Sequence, residues 1–336
     1  MSGTDANVDA PTAAPQPSSL VRVFLSLDER RLRTGWRLLL QFLLFVVLSI
    51  LANGLYALIV RVALRPPQLA REDVGAILLL FKSLLQLLAL TVSVYVARRF
   101  LDRRSLTSLG LAWNGMSWRD LLAGVVVAAA MMGLIVLVEW SLGWLRFEGF
   151  AWQVQPHPPV LLAMLFFLAI FVFIAWREEL LVRGYQLQNL TEGLNLNLSV
   201  LLSSLIFALL HLNNPSFSPA AFLGLVAAGL FFAYAYVRTR QLWLPMGLHL
   251  GWNFFEAPVF GLPVSGLRTF SLLQQTTLGP AFLTGGDFGP EAGLILLPAL
   301  ALGVLLVDLY ARESRKRGVE TETNGGATAA AAEPQT

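Results

Sequence analysis

The chain has three histidines, and two of them lie inside apolar segments. An ionisable side chain in a membrane span costs about 2.5 to 3.5 kcal/mol on insertion scales, so each one that remains is a functional candidate. His157 lies between prolines in a connecting stretch and is set aside. Residues 170 to 184 read IFVFIAWREELLVRG, which puts Glu178 and Glu179 near the end of a strongly apolar helix. Neighbouring helical positions diverge by about 100°, so the two carboxylates cannot face the same way. Glu179 and Arg183 are i, i+4 partners, which leaves Glu178 facing the interior. FALLH places Phe207 and His211 on one face of the next helix, and LWLPMGLHLGWNFFE sets His249 and Asn253 one turn apart on another.

A buried carboxylate is driven toward its neutral form by desolvation and back by cationic or donor neighbours, which is how a general base is tuned near neutral pH. Glu178, with Arg183 and His211 nearby, suits that task. Its target is a water attacking an amide carbonyl, with His249 and Asn253 donating to the oxyanion that forms. The same groups suit a metal equally well: Glu178, His211 and His249 make a one-carboxylate, two-imidazole set that leaves a fourth zinc position open for water. Whether the site needs no cofactor or one zinc ion stays open at this level. Other peptidase chemistries fit less well. There is no H-E-x-x-H, no serine in G-x-S-x-G and no cysteine, and Gly285, Gly286 and Asp287 lack a partner aspartate on a helix.

E-E-x-x-x-R at Glu178, Glu179 and Arg183, F-x-x-x-H at Phe207 and His211, and H-x-x-x-N at His249 and Asn253 occur in that order. Together they resemble the CAAX protease and bacteriocin-processing family, also called the CPBP or Abi family, over about Leu161 to Glu256. The resemblance implies an eight-helix intramembrane endopeptidase of glutamic or metal-dependent type. In it Glu178 activates water, His211 assists, His249 and Asn253 form the oxyanion site, and Glu179 and Arg183 support them. It also implies a membrane-associated peptide or protein substrate, processed in the CAAX manner or in the bacteriocin or immunity manner. Two rival readings compete with it. One is a non-enzymatic immunity or scaffold protein on the same fold. The other is a proton or cation transporter, against which stands the lack of inverted repeat halves.

The elements that must hold these residues are membrane helices. Hydrophobic residues make up 56% of the chain against 13% charged, too few charges to coat a soluble globule of 336 residues. The apolar residues gather in Leu- and Ala-rich blocks of roughly 20, long enough to cross a hydrocarbon layer of about 30 Å as helices and without the alternation of barrel strands. Spans are expected near 36–61, 74–97, 120–144, 159–183, 196–212, 219–237, 242–260 and 291–310. The fold class is therefore an all-α integral membrane bundle of about eight helices embedded in a lipid bilayer. Residues 1–33 are expected as a disordered tail and juxtamembrane segment, 34–312 as the transmembrane domain with its peptidase core at 159–260, and 313–336 as a second disordered tail.

Arginines cluster at every second connection: 30–37, 98–104, Arg177 with Arg183, Arg238 with Arg240, and 312–317. That alternation places both termini in the cytoplasm, in a plasma or inner membrane. The basic residues flank apolar blocks and form no groove-sized patch, which argues against a nucleic-acid partner. Glu139 and Lys82 also fall inside spans, and interhelical or snorkelling roles are expected for them. One tension remains. A fifth helix starting near 196 lifts His211 by about 22 Å, whereas Glu178 lies close to the end of a fourth helix that stops near 183. Continuation of the fourth helix past Arg183, or a surface segment before a shorter, tilted fifth helix, relieves it.

Overall fold

The structure, a computed structural model, describes residues 23–26, 31–63, 71–154 and 159–330. His157 lies outside these residues, as do much of the expected N-terminal tail and the last six residues of the C-terminal one. Among the described residues the principal helices follow in order: α1 (Thr34–Ala63), α2 (Arg71–Val96), α3 (Ser117–Ser141), α4 (Val160–Gly193), α5 (Leu196–Leu209), α6 (Pro219–Thr239), α7 (Trp243–Phe254) and α8 (Leu296–Ala330). Five of them, α1, α2, α3, α4 and α6, are long and apolar enough to cross a membrane, and α5 is a shorter apolar helix. The molecule is an all-α membrane protein. Its outward face is lined by leucines such as Leu43, Leu55, Leu88, Leu162 and Leu201, as a lipid-facing surface requires.

The largest departure from the sequence reading is α4. It runs ten residues past Arg183, through a π-helical stretch at Leu180–Gln186 and a last α-helical piece at Leu187–Gly193. Glu192 explains the extension. Its carboxylate pairs with Arg37 at 2.6 Å, Arg104 at 2.7 Å and Arg31 at 2.9 Å, and Asn189 reaches Asp102 at 3.2 Å. Asp102 in turn holds Arg37 at 2.8 Å and Arg98 at 3.0 Å. This network ties the ends of α1, α2 and α4 into one arginine-rich end of the bundle. Arg177 and Arg183, expected in a connection, instead stand within α4.

The other bounds follow local chemistry. Asn195 caps α5 by accepting from the Leu198 amide at 2.9 Å, and Ser218 caps α6 at the Ala221 amide with Pro219 in the first turn. At the opposite end of the bundle a small ribbon pairs Leu145–Phe150 antiparallel with Leu273–Thr277, an element absent from the sequence reading. α8 continues as helix through Ala330, into the segment expected as a tail. An established helix extends at one hydrogen bond per added residue.

The close packing of α3 against α7 positions the site. Gly247 and Gly251, one turn apart on α7, face the α3 backbone; a Cβ on Gly251 would lie 2.9 Å from Val125 Cα and from Ala128 Cβ, and one on Gly247 would strike the Leu121 carbonyl. Small residues four apart let two membrane helices approach backbone to backbone, where van der Waals packing rather than the hydrophobic effect drives association.

Candidate active site

Glu178 stands fifteen residues before the end of α4, and His211, expected on the fifth helix, follows the last residue of α5, Leu209, by two positions in the turn toward α6. At 1.5 Å per residue Glu178 and the end of α5 are each roughly 20 Å from the turn joining the helices, so extension of α4 removes the depth mismatch. Glu178 Oε2 lies 3.8 Å from His211 Nε2 and 3.9 Å from His249 Nε2. That buried oxygen has no hydrogen-bond partner among the described residues. A buried carboxylate oxygen left in this state is where a water or a substrate group is expected.

The other ring nitrogens fix the tautomers. His211 Nδ1 lies 2.9 Å from the Phe207 carbonyl, which can only accept, so Nδ1 carries the proton and neutral His211 offers Nε2 as an acceptor. His249 Nδ1 lies 2.8 Å from Glu179 Oε1, and the same reasoning makes it a donor there. Glu179 is fully buried and its Oε1 also receives Arg183 Nη1 at 2.8 Å. Glu179 therefore joins the Arg183 ion pair to the imidazole of His249, a link that the i, i+4 spacing alone does not reveal. Arg183 donates onward to the Gly229 carbonyl at 3.1 Å and lies over Phe207 at 4.4 Å and Phe232 at 5.1 Å. Arg183 stands near Glu178, as the sequence suggested, but pairs with Glu179; the cation paired directly with the Glu178 carboxylate is Arg177, at 3.5 Å.

The π-helical stretch begins immediately after Glu179. Its wider turn interrupts the regular i→i−4 ladder, a distortion frequent where a helix presents functional side chains. Phe232 was not foreseen: its ring stacks on His249 with centroids 5.2 Å apart and planes 8° from parallel. Nothing in the sequence around it distinguishes it from other core aromatics.

These groups line a cavity of about 210 Å³. Asn253 lines it one turn beyond His249, together with Asn214, Ser265 and Glu291 from the connections at the end away from the arginines. Glu291 accepts from Trp252 Nε1 at 3.3 Å and Ser265 Oγ at 3.2 Å, and Asn214 donates to the Ser265 carbonyl at 2.9 Å, so the loop after α7 is stitched to α7 and to the α5–α6 turn. Lys82 lies over the Tyr56 ring at 5.6 Å, Asp287 pairs with Arg268 on the surface, and Glu139 is buried on α3.

Two imidazole nitrogens and a carboxylate oxygen are donor types that zinc accepts. Among the described residues, however, no three acidic or histidine side chains are set as a metal-holding group. What the arrangement can do unaided is bind a water at two acceptors, Glu178 Oε2 and His211 Nε2, with further polar groups an α7 turn away.

The family model described as type II CAAX prenyl endopeptidase Rce1-like matches residues 159–255. This segment resembles the Rce1-like endopeptidases. It contains all six site residues inferred from the sequence and spans α4 to the end of α7, while α1, α2, α3 and α8 lie outside it. No curated protein and no solved structure matches the chain.

Proposed function

We propose that the protein is an intramembrane endopeptidase that hydrolyses a peptide bond of a membrane-associated substrate, with Glu178 as the general base. The observation that carries this reading is the orphaned Glu178 Oε2 facing the Nε2 atoms of His211 and His249 at 3.8 and 3.9 Å. A water donating one hydrogen to Glu178 Oε2 and the other to His211 Nε2 has its lone pairs directed into the cavity. As its oxygen attacks the carbonyl carbon, Glu178 takes the proton and the carbonyl π electrons move onto oxygen, giving a tetrahedral oxyanion. Asn253 donates to that oxyanion, and so does His249 through Nε2 when that nitrogen carries a proton, its ring held in place by the Glu179 carboxylate at Nδ1. Collapse expels the amine, which receives the proton held by Glu178.

The substrate class follows the family: a CAAX-type or a bacteriocin- or immunity-type peptide at the membrane. The plasma or inner membrane is the proposed location, with both termini cytoplasmic. The test uses the purified full-length protein in liposomes with a fluorogenic library of membrane-anchored peptides. Glu178→Gln, which keeps size and removes the base, is expected to lower kcat by about 10²- to 10⁴-fold. Turnover by a folded Glu178→Gln variant at the wild-type rate overturns the assignment.

A further inference from the structure

The two ends of the bundle differ in charge and in whether they open onto the cavity. At one end lie the clusters Arg31, Arg33 and Arg37 before and within the first turn of α1, Arg98 to Arg104 after α2, Arg119 on α3, Arg238 and Arg240 at the end of α6, and Arg312 on α8. Arg315, Lys316 and Arg317 follow in sequence. At the other end the described connections carry Arg146 and Arg268, with Arg61 in the last turn of α1 and Arg71 at the start of α2. Lysine and arginine in short connections are retained in the cytoplasm, and acidic residues contribute little to that bias. The arginine-rich end is therefore the cytoplasmic one.

The cavity communicates with the opposite end. Every connection residue that lines it, from Asn214 in the α5–α6 turn to Ser265, Leu267 and Glu291 after α7, belongs to the arginine-poor end. Leu267, which lines the cavity, and Leu212, next to the cavity-lining His211, are about half exposed, at 48% and 50%. Toward the arginine-rich end the path is filled. Leu180, Tyr185 and Leu242 are completely buried, and below them lie the buried ions Arg98 and Asp102.

We infer that the cavity is entered from the extracytoplasmic side of the membrane, so that its substrate is a peptide segment presented in the outer half of the bilayer or just outside it. A lipidated C-terminus in the cytoplasm would meet the closed end. That a peptide enters rests on the endopeptidase reading; the side from which it enters does not.

The chain has no cysteine, so each introduced thiol is the sole reactive one. Leu267→Cys and Leu212→Cys mark the mouth, and Thr107→Cys marks the exposed arginine-rich end. Each full-length variant is produced in cells and treated intact with a membrane-impermeant maleimide, then again after detergent permeabilisation as the reference for full labelling. The expected result is labelling of Leu267→Cys and Leu212→Cys in intact cells to at least tenfold the fraction seen for Thr107→Cys, which reacts only after permeabilisation. Labelling of Thr107→Cys ahead of the mouth positions, or equal labelling at both ends, overturns the inference. The measurement is repeated in the Glu178→Gln background. There, unchanged labelling alongside undiminished turnover would sink the base assignment and leave the sidedness standing, whereas reversed labelling with lost turnover would do the opposite.

Discussion

Glu178 and Glu179 are adjacent and do different work because a helix turns about 100° between them. Glu178 meets the cavity with an unpartnered oxygen, and Glu179 points into the protein, where one oxygen receives both Arg183 and His249. In the proposed mechanism Glu179 is a positioning residue that acts through His249. Glu179→Gln keeps an acceptor but loses the negative charge that holds both the His249 ring and Arg183, so kcat is expected to fall by about 10²-fold with KM little changed. Because the two act as a unit, Glu179→Gln combined with His249→Gln should be hardly slower than His249→Gln alone. Additive losses in the kinetic cycle would show Glu179 to be structural only. Six polar residues stand out in the sequence because polar side chains inside apolar blocks are conspicuous. Phe232 does not stand out, because its stacking on His249 depends on how α6 faces α7.

At the scale of elements, two devices bring the residues together. The extension of α4 to Gly193 brings Glu178 level with His211, and the Gly247–Gly251 pair presses α7 onto α3 so that His249 reaches Glu179. Gly251→Val would force the helices apart, since a Cβ there already meets three α3 atoms at 2.9 Å. A loss of about 1 to 3 kcal/mol or more is expected, with His249 and Asn253 displaced. Gly133→Ala on α3, where a Cβ meets nothing within 4 Å, should be neutral. Thermal unfolding in detergent, with turnover in parallel, checks both; a Gly251→Val protein as stable and active as wild type would refute the packing argument. Helix number and identity were legible from apolar blocks of bilayer length. The end of α4 was not, because the arginines that Glu192 gathers, Arg31, Arg37 and Arg104, lie on distant parts of the chain. The spacing at Gly247 and Gly251 was visible in the sequence, but its partner helix was not.

For the whole molecule, the unequal lengths of the helices have a mechanical meaning. α4 has 34 residues and is about 51 Å long, whereas α5 has 14 and reaches only about 21 Å, less than the hydrocarbon layer of about 30 Å. α5 nevertheless faces outward, with Leu198, Leu201 and Leu209 exposed. Hydrophobic mismatch on one side of the bundle then draws the nearby lipid surface inward beside His211. Water and a substrate backbone thereby reach the site without traversing a full monolayer. Turnover should be faster in liposomes of 14-carbon acyl chains than in those of 20-carbon chains at equal protein incorporation, and indistinguishable rates would argue against it. Membrane thickness would then act as a control on this protein, setting how readily a peptide bond at the bilayer surface comes within reach of Glu178.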